Sequence, residues 1–135
     1  MGESTLQRTL RIRATHHYRR ADWDEERNRR AFGPVRDPHP HDWVITVTLS
    51  GPLDAHGFLV DLPALDLVLA AEVGRLDGTD LNRSVPEMAS GELQPTTEAL
   101  ARWVWRRVAD RIPPPARLRR VRVAEGDDLA AEYGE

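Results

Sequence analysis

The sequence contains no cysteine and no lysine, and it has no long hydrophobic run. Without cysteine the chain cannot form a disulfide, a thiolate metal site or a cysteine nucleophile, which is consistent with a reducing compartment. Without lysine it cannot form a Schiff base with a carbonyl substrate. No apolar stretch is long enough to span a membrane, and the first residues lack the apolar core of a signal peptide. We therefore expect a cytoplasmic protein with no membrane partner.

Length and charge narrow the class of protein further. At 135 residues the chain is long enough to bury a core, so we expect a single domain over residues 1–135. The net charge is −3, yet residues 1–36 hold nine arginines against five acids. Arginine forks bind phosphate bidentately, which suits a phosphorylated small molecule. Nucleic acid is not an expected partner, because these arginines are interleaved with acids and no series of aromatic residues accompanies them.

Two predicted strands place histidines on one face of a sheet. Alternation of apolar and polar residues predicts strands over about residues 5–15 and 42–51. Side chains alternate between the faces of a strand, so His16 lies on the apolar face of the first strand. His39 and His41 lie on the apolar face of the second. If the two strands pair antiparallel, the three imidazoles meet at one end of the sheet.

The three histidines allow two interpretations. Three convergent imidazoles suit a zinc ion that keeps one coordination position open for water or substrate. Histidines in a soluble chain are also commonly satisfied surface or core groups without a metal. His17 faces the opposite side of the strand and His56 belongs to a predicted turn, so neither is an expected ligand. The residues alone leave both interpretations open.

The remainder of the chain predicts two helices and further strands. We expect a polar connection over 19–37 with a helical turn near 24–30, a short strand near 58–60, a helix from Asp61 to about Gly78, a loop, a second helix from 95–98 to before Pro113, and a strand over about 117–125. Trp103 and Trp105 are expected to pack or to contact another subunit. Glu125 follows two inward-facing valines, and a desolvated carboxylate needs either a partner in the protein or the N–H groups of a ligand.

Several short motifs follow one another along the chain. They are Ala14-Thr15-His16, His39-Pro40-His41, Gly57-Phe58-Leu59-Val60-Asp61-Leu62, Leu76-Asp77 with Leu81-Asn82, the segment 96–105 that begins Thr96-Thr97-Glu98, and Val121-Arg122-Val123-Ala124-Glu125. In order and spacing they resemble the 6-pyruvoyl-tetrahydropterin synthase and 6-carboxytetrahydropterin synthase family, which usually has His-Gly-His where this chain has His-Pro-His. The resemblance covers most of the chain.

The resemblance implies both a fold and a site. The fold is the tunnelling fold (T-fold) of the α+β class, in which an antiparallel sheet with two helices on one face assembles into an oligomeric barrel. That barrel is usually a homohexamer with active sites between subunits. The implied site is a Zn2+ ion held by His16, His39 and His41, with a pterin-like ring anchored by Thr96, Thr97 and Glu125. A carboxylate can accept two parallel N–H bonds from the edge of a pterin or purine, which agrees with the anchoring role.

Two proton carriers of the family are missing from this chain. The family has a cysteine shortly before its His-x-His pair, and residues 33–38 contain none. The family also has a histidine after the aspartate of its Leu-Asp-His motif, and here Gly78 follows Asp77. Asp77 is then either a catalytic residue or, without a histidine to orient, a structural one. Asp37 is the nearest carboxylate before His39 and a candidate catalytic base.

These observations predict a zinc-dependent lyase or synthase-like enzyme that acts on a pterin such as dihydroneopterin triphosphate, with altered chemistry. The alternative is a non-catalytic homologue that binds zinc and a pterin or purine as a binding or scaffold subunit. The missing proton carriers favour the alternative. The retained histidines and glutamate favour the enzyme, because a pure scaffold has no chemical need for them.

Overall fold

A computed structural model describes residues 2–135 and contains one five-stranded sheet with the strand order β3-β1-β2-β4-β5. The strands are β1 Ser4–His16, β2 His39–Gly51, β3 Thr79–Asp80, β4 Arg117–Ala124 and β5 Ala130–Gly134; the helices are α1 Glu25–Phe32, α2 Leu62–Glu72, α3 Leu81–Ser84, α4 Pro86–Ala89 and α5 Thr97–Val108; short 3-10 turns cover Gly33–Arg36, Gly74–Leu76 and Ala109–Arg111. All strand pairs are antiparallel except β1 with β3. The fold is therefore α+β, as predicted.

The long β1–β2 pair determines where the histidines lie. The two strands are antiparallel from Ser4 opposite Gly51 to His16 opposite His39. Their alternating apolar residues face one side of the sheet, where Ile12, Trp43 and Ile45 are buried. The predicted antiparallel pairing is thus confirmed, and β2 begins earlier than predicted, at His39 instead of residue 42.

Helices α2 and α5 complete the hydrophobic core on the apolar face of the sheet. The Asp61 side chain caps α2 by accepting from the amide of Ala64, and the Thr96 hydroxyl caps α5 by accepting from the amide of Ala99. Leu65 and Leu69 of α2 and Leu100, Val104 and Val108 of α5 are buried in the same apolar cluster as the strand residues. Trp103 is buried in this cluster as well, and Trp105 packs partly buried against it.

Several local predictions were wrong. Residues 58–60 do not form a strand, because Asp54 accepts from the amides of His56 and Phe58 and holds this segment in a turn. Helix α2 ends at Glu72 and is followed by the 3-10 turn, so it does not reach Gly78. The predicted loop after Gly78 contains β3, α3 and α4, and the final strand β5 was not predicted. The helical turn expected near 24–30 is confirmed, and it is the two-turn helix α1 with Asp24 as its cap.

The helices of the described residues are too short to cross a membrane. None of them combines the length and the apolar composition that a membrane span requires.

Candidate metal centre

The β1–β2 pairing brings His16, His39 and His41 together at one end of the sheet. One ring nitrogen from each lies within 4.8 Å of the others. The His16 side chain is fully buried, whereas His39 and His41 are partly exposed. Their rings meet edge to face, with centroids 4.5 Å apart for His16 and His39 and 5.0 Å apart for each of the other two pairs. The three imidazoles could hold a metal ion that remains accessible from the exposed side.

Backbone carbonyls orient two of the rings. His16 Nδ1 lies 2.7 Å from the carbonyl oxygen of Pro95, and His39 Nδ1 lies 2.8 Å from that of Asp37. A carbonyl oxygen only accepts, so each Nδ1 carries the proton and each Nε2 presents a lone pair. Hydrogen bonding of the outer ring nitrogen is the usual way in which proteins hold metal-ligating histidines.

The chemistry of the His16 ring fits a cation. Burial of the imidazole lowers the pKa of His16 to about 4, so the ring is neutral at neutral pH. The Nε2 atoms of His16 and His41 are buried and have no hydrogen-bond partner among residues 2–135. Buried nitrogen lone pairs without a donor are costly, and a bound metal ion satisfies them. The donor set is therefore suited to zinc.

Glu125 faces the same nitrogens from β4's end. Its Oε2 lies 3.8 Å from His16 Nε2, and its Oε1 lies 3.9 Å from His41 Nε2. These separations exceed hydrogen-bond distance, and Oε2 is buried without a partner in the described part of the chain. Burial raises the pKa of Glu125, and the partial offset by His41 and His39 does not cancel this effect. The carboxylate is thus placed where a cation or the N–H groups of a ligand would satisfy it.

Thr96 and Thr97 lie at the start of α5, directly after the carbonyl that holds His16. The Thr96 hydroxyl is used for the helix cap, 3.0 Å from the amide of Ala99. The Thr97 hydroxyl is buried and donates to Glu98 Oε1 at 2.9 Å. Both threonines therefore follow directly in sequence on Pro95, whose carbonyl binds His16. Both hydroxyls are already bound to neighbouring residues of α5.

The two aspartates considered as catalytic residues lie in different surroundings. Asp77 Oδ1 accepts from the backbone amide of Arg13 at 2.8 Å, three residues before His16 in β1. Asp37 is exposed, and its backbone carbonyl is the acceptor that orients His39. The structure therefore joins Asp37 to His39 through the main-chain carbonyl of Asp37. It gives the Asp77 carboxylate a structural partner at the sheet edge.

Tyr18 and Glu98 also border the centre, and sequence reasoning did not single them out. The Tyr18 ring lies edge-on to the His16 ring with centroids 5.2 Å apart. Burial, together with the carboxylates of Glu125 and Glu98, raises the pKa of Tyr18 to about 12, so its hydroxyl remains protonated. The alternation of Ile12, Ala14 and His16 extended by two residues would have indicated Tyr18. No local signal indicates the contribution of Glu98, which depends on how α5 packs.

Comparison with known proteins finds relatives in sequence and in fold. Dihydroneopterin monophosphate aldolase of Pyrococcus furiosus is 28% identical over 94 residues, which make up 70% of this chain and 75% of that protein. The solved structure of Caenorhabditis elegans 6-pyruvoyl tetrahydropterin synthase superimposes with a TM-score of 0.89 at 22% identity, covering 100% of this chain and 97% of that one. The Plasmodium vivax enzyme superimposes with a TM-score of 0.68 at 12% identity, covering 100% and 99%.

These structural matches confirm the predicted tunnelling fold of the chain, and its assembly into an oligomeric barrel stays a prediction. A variant of the Plasmodium vivax enzyme with a replaced catalytic glutamate has also been solved, and it superimposes with a TM-score of 0.69 at 11% identity. The family model for 6-pyruvoyl tetrahydropterin synthase matches residues 5–135. The chain therefore belongs to the 6-pyruvoyl tetrahydropterin synthase family.

Proposed function

We propose that this protein is a zinc-dependent lyase that acts on a dihydropterin with a phosphorylated polyol side chain. The observation that carries the proposal is the convergence of three imidazole nitrogens with the unpartnered carboxylate oxygen of Glu125. The imidazole nitrogens suit a cation, and the carboxylate of Glu125 suits the N–H edge of a heterocycle. A zinc ion held by His16, His39 and His41 would act as a Lewis acid on the oxygens of the substrate side chain.

The protein's own residues would position the pterin beside these ligands. Glu125 would accept two N–H bonds from the 2-aminopyrimidinone edge, which would relieve the buried oxygen of its missing partner. Thr97 would contribute its backbone amide at the start of α5, because its hydroxyl is already bound to Glu98. Thr96 would hold this start in place through its helix cap, since its hydroxyl, amide and carbonyl are all bound within the chain. The Arg-rich segment before β2 would bind the phosphate.

Carbon–carbon cleavage is the reaction that we favour. The relative from Pyrococcus furiosus is named as an aldolase, and the present chain lacks the cysteine and the motif histidine that the family resemblance leads one to expect. In an aldol cleavage the bond between the first and second side-chain carbons breaks. The hydroxyl on the second carbon loses its proton and becomes a carbonyl, while the first carbon gains a proton. A base and a proton donor are therefore needed on the two sides of this bond.

Asp37 and Asp77 are the proposed candidates for the proton-transfer roles. Asp37 is supported by its position two residues before His39 and by its exposed carboxylate. Asp77 is the weaker candidate within one chain, because its carboxylate already accepts the amide of Arg13. Replacing each by asparagine separates the roles, since a catalytic base is lost in either variant whereas the hydrogen bond to Arg13 can be kept by an amide oxygen.

The test is turnover of dihydroneopterin monophosphate and triphosphate by the zinc-loaded protein, with products followed by mass spectrometry. We expect a two-carbon aldehyde phosphate and a hydroxymethyl pterin from the monophosphate. Release of inorganic triphosphate from the other substrate would instead identify synthase chemistry. His39→Ala should lose bound zinc and turnover together, and Asp127→Asn, an exposed change near Glu125, serves as the control. A protein that binds stoichiometric zinc and leaves both substrates intact would contradict the proposed activity.

The second candidate function is a non-catalytic subunit that binds zinc and a pterin or purine. It is favoured by Gly78, which stands where the family motif has a histidine, and by the lack of any cysteine. Such a protein would bind the pterin with zinc present and release it unchanged. The same experiment separates the two functions when binding is measured by pterin fluorescence beside turnover.

We also propose that the protein forms a homohexameric barrel. Support comes from the sheet edges: β3 pairs with β1 only at Ala14 and Thr15, so most of the outer edge of β1 has no strand beside it within residues 2–135. Open edges of this length favour pairing with another chain. A cytoplasmic location remains our prediction.

A further inference from the structure

The segment that follows His16 is held by three amide side chains. We call residues His17–Arg20 the strap. Asn82, Gln94 and Asn28 each accept from one strap amide and donate to the carbonyl of the same residue: Asn82 binds His17 at 2.9 and 3.0 Å, Gln94 binds Arg19 at 3.0 and 3.0 Å, and Asn28 binds Arg20 at 2.8 and 3.0 Å. Each amide therefore takes the place of a neighbouring strand.

Tyr18 is the remaining strap residue, and its backbone is held by a different contact. Its amide donates to the carbonyl of Val35 at 2.9 Å. All four strap amides are thus bound, by partners from four separate parts of the chain. Fixing the backbone on both sides of a residue limits the directions that its side chain can take, which is how proteins preorganise groups in a site.

The fixed side chain of Tyr18 lies against the metal centre. Its ring contacts the His16 ring edge-on with centroids 5.2 Å apart, and its centroid lies 5.9 Å from that of the Phe32 ring. Its hydroxyl forms no hydrogen bond with another residue within 2–135, although the side chain is only partly exposed. The hydroxyl without a protein partner therefore belongs to a ring that contacts one of the three histidines.

We propose that Tyr18 is a substrate-binding residue whose hydroxyl donates a hydrogen bond to an oxygen of the substrate's polyol side chain, next to the three histidines. This inference rests on the proposed function, because it requires a substrate with oxygens at that point. It adds a protein donor to a site that lacks the cysteine and the motif histidine of the family. A phenol that packs against His16 and Phe32 suits this role, since its hydroxyl can donate a hydrogen bond to a substrate oxygen.

The test compares Tyr18→Phe with wild-type protein, both loaded with zinc. Phenylalanine keeps the ring contacts with His16 and Phe32 and removes only the hydroxyl. The matched control is Tyr133→Phe, which removes a hydroxyl from β5 where the ring packs on Trp105. The readouts are bound zinc, kcat and KM with dihydroneopterin monophosphate, and the Kd of the same pterin measured by fluorescence under conditions without turnover.

We expect Tyr18→Phe to bind one zinc per chain and to lose about 100-fold in kcat, because a donor that meets developing charge acts mainly in the transition state. In a protein that binds the pterin without turning it over, the expected loss is about tenfold in affinity. Values of kcat and Kd within twofold of wild type would overturn the inference while leaving the proposed function intact. Wild-type protein that binds zinc and no pterin would overturn the proposed function and this inference together.

Discussion

At the scale of single residues, burial of the His16 imidazole links the stability of the metal-free protein to pH. The pKa of His16 falls from 6.5 to about 4 on folding, so the unfolded chain binds more protons between these values. The contribution of His16 to the free energy of unfolding is fully present above pH 6.5. It falls by about 3 kcal/mol as the pH falls toward 4. We expect His16→Gln to remove this part of the pH dependence, as measured by urea unfolding in the presence of a chelator. If the free energies of unfolding of the wild-type and His16→Gln proteins depended on pH in the same way, His16 would not be the source of this pH dependence.

Glu125 makes the free energy of unfolding depend on pH in the opposite direction to His16. Its pKa is raised by burial, so the folded protein holds a proton that the unfolded chain releases above its ordinary value of 4.5. The free energy of unfolding of the metal-free protein is therefore lowered as the pH rises from 4.5 through the raised pKa of Glu125. We expect Glu125→Gln to be more stable than wild type at pH 7 and to bind the pterin more weakly. Asp127→Asn is the exposed control, and a less stable Glu125→Gln protein at neutral pH would refute this interpretation.

At the scale of elements, two helix caps have the same chemistry and different neighbours. Thr96 caps α5 beside the metal centre, and Asp61 caps α2 at 3.1 Å from the amide of Ala64. We expect Thr96→Ala and Asp61→Ala each to cost about 1 kcal/mol in urea unfolding. Only Thr96→Ala should also weaken pterin binding in a fluorescence titration, because the start of α5 lies next to the carbonyl that holds His16. If both variants bound the pterin with equal affinity, the start of α5 would not be part of the pterin site.

The segment before α5 contacts both the strap and the metal centre. Gln94 binds the backbone of Arg19, and the next residue, Pro95, holds the His16 ring. We expect Gln94→Ala to speed hydrogen exchange at the Arg19 amide and to lower zinc affinity about tenfold in a chelator competition. Asn28→Ala is the comparison variant, because it removes the corresponding pair of hydrogen bonds from Arg20 without touching Pro95. It also removes the hydrogen bonds of Asn28 to the carbonyls of Trp23 and Asp24. A zinc affinity of Gln94→Ala equal to that of the wild-type protein would show that Gln94 does not position His16 through Pro95.

At the scale of the whole molecule, assembly is expected to close the sheet edges. Arg13 directs its amide and carbonyl to the outer edge of β1, toward Asp77 and Gly78, and Gln7 lies on the same parity of the strand. Light scattering should give about six times the chain mass of 15.3 kDa. Gln7→Pro removes an outward amide and should reduce this mass, while Gln7→Ala should not. A wild-type mass of one chain would contradict the predicted barrel.

Much of the architecture can be predicted from local patterns. The alternation in β1 and β2 is a property of neighbouring residues, and it was sufficient to place His16, His39 and His41 on one face. Helix caps are equally local, so Asp61 and the start of α5 were predicted close to their observed positions. Strand β5 lacks this signal, because it is short and exposed and is held mainly by pairing with β4.

The sequence by itself determined the two long strands, the two long helices and the set of side chains that could bind zinc, because periodicity and capping act within a few residues. Only the tertiary structure decided how those side chains are held. The Pro95 carbonyl on His16, the Glu125 oxygens facing the imidazoles and the amide clamps on the strap join residues that are mostly far apart in the chain. Such contacts depend on how the sheet and α5 pack together, and packing is decided by the whole core rather than by any local pattern.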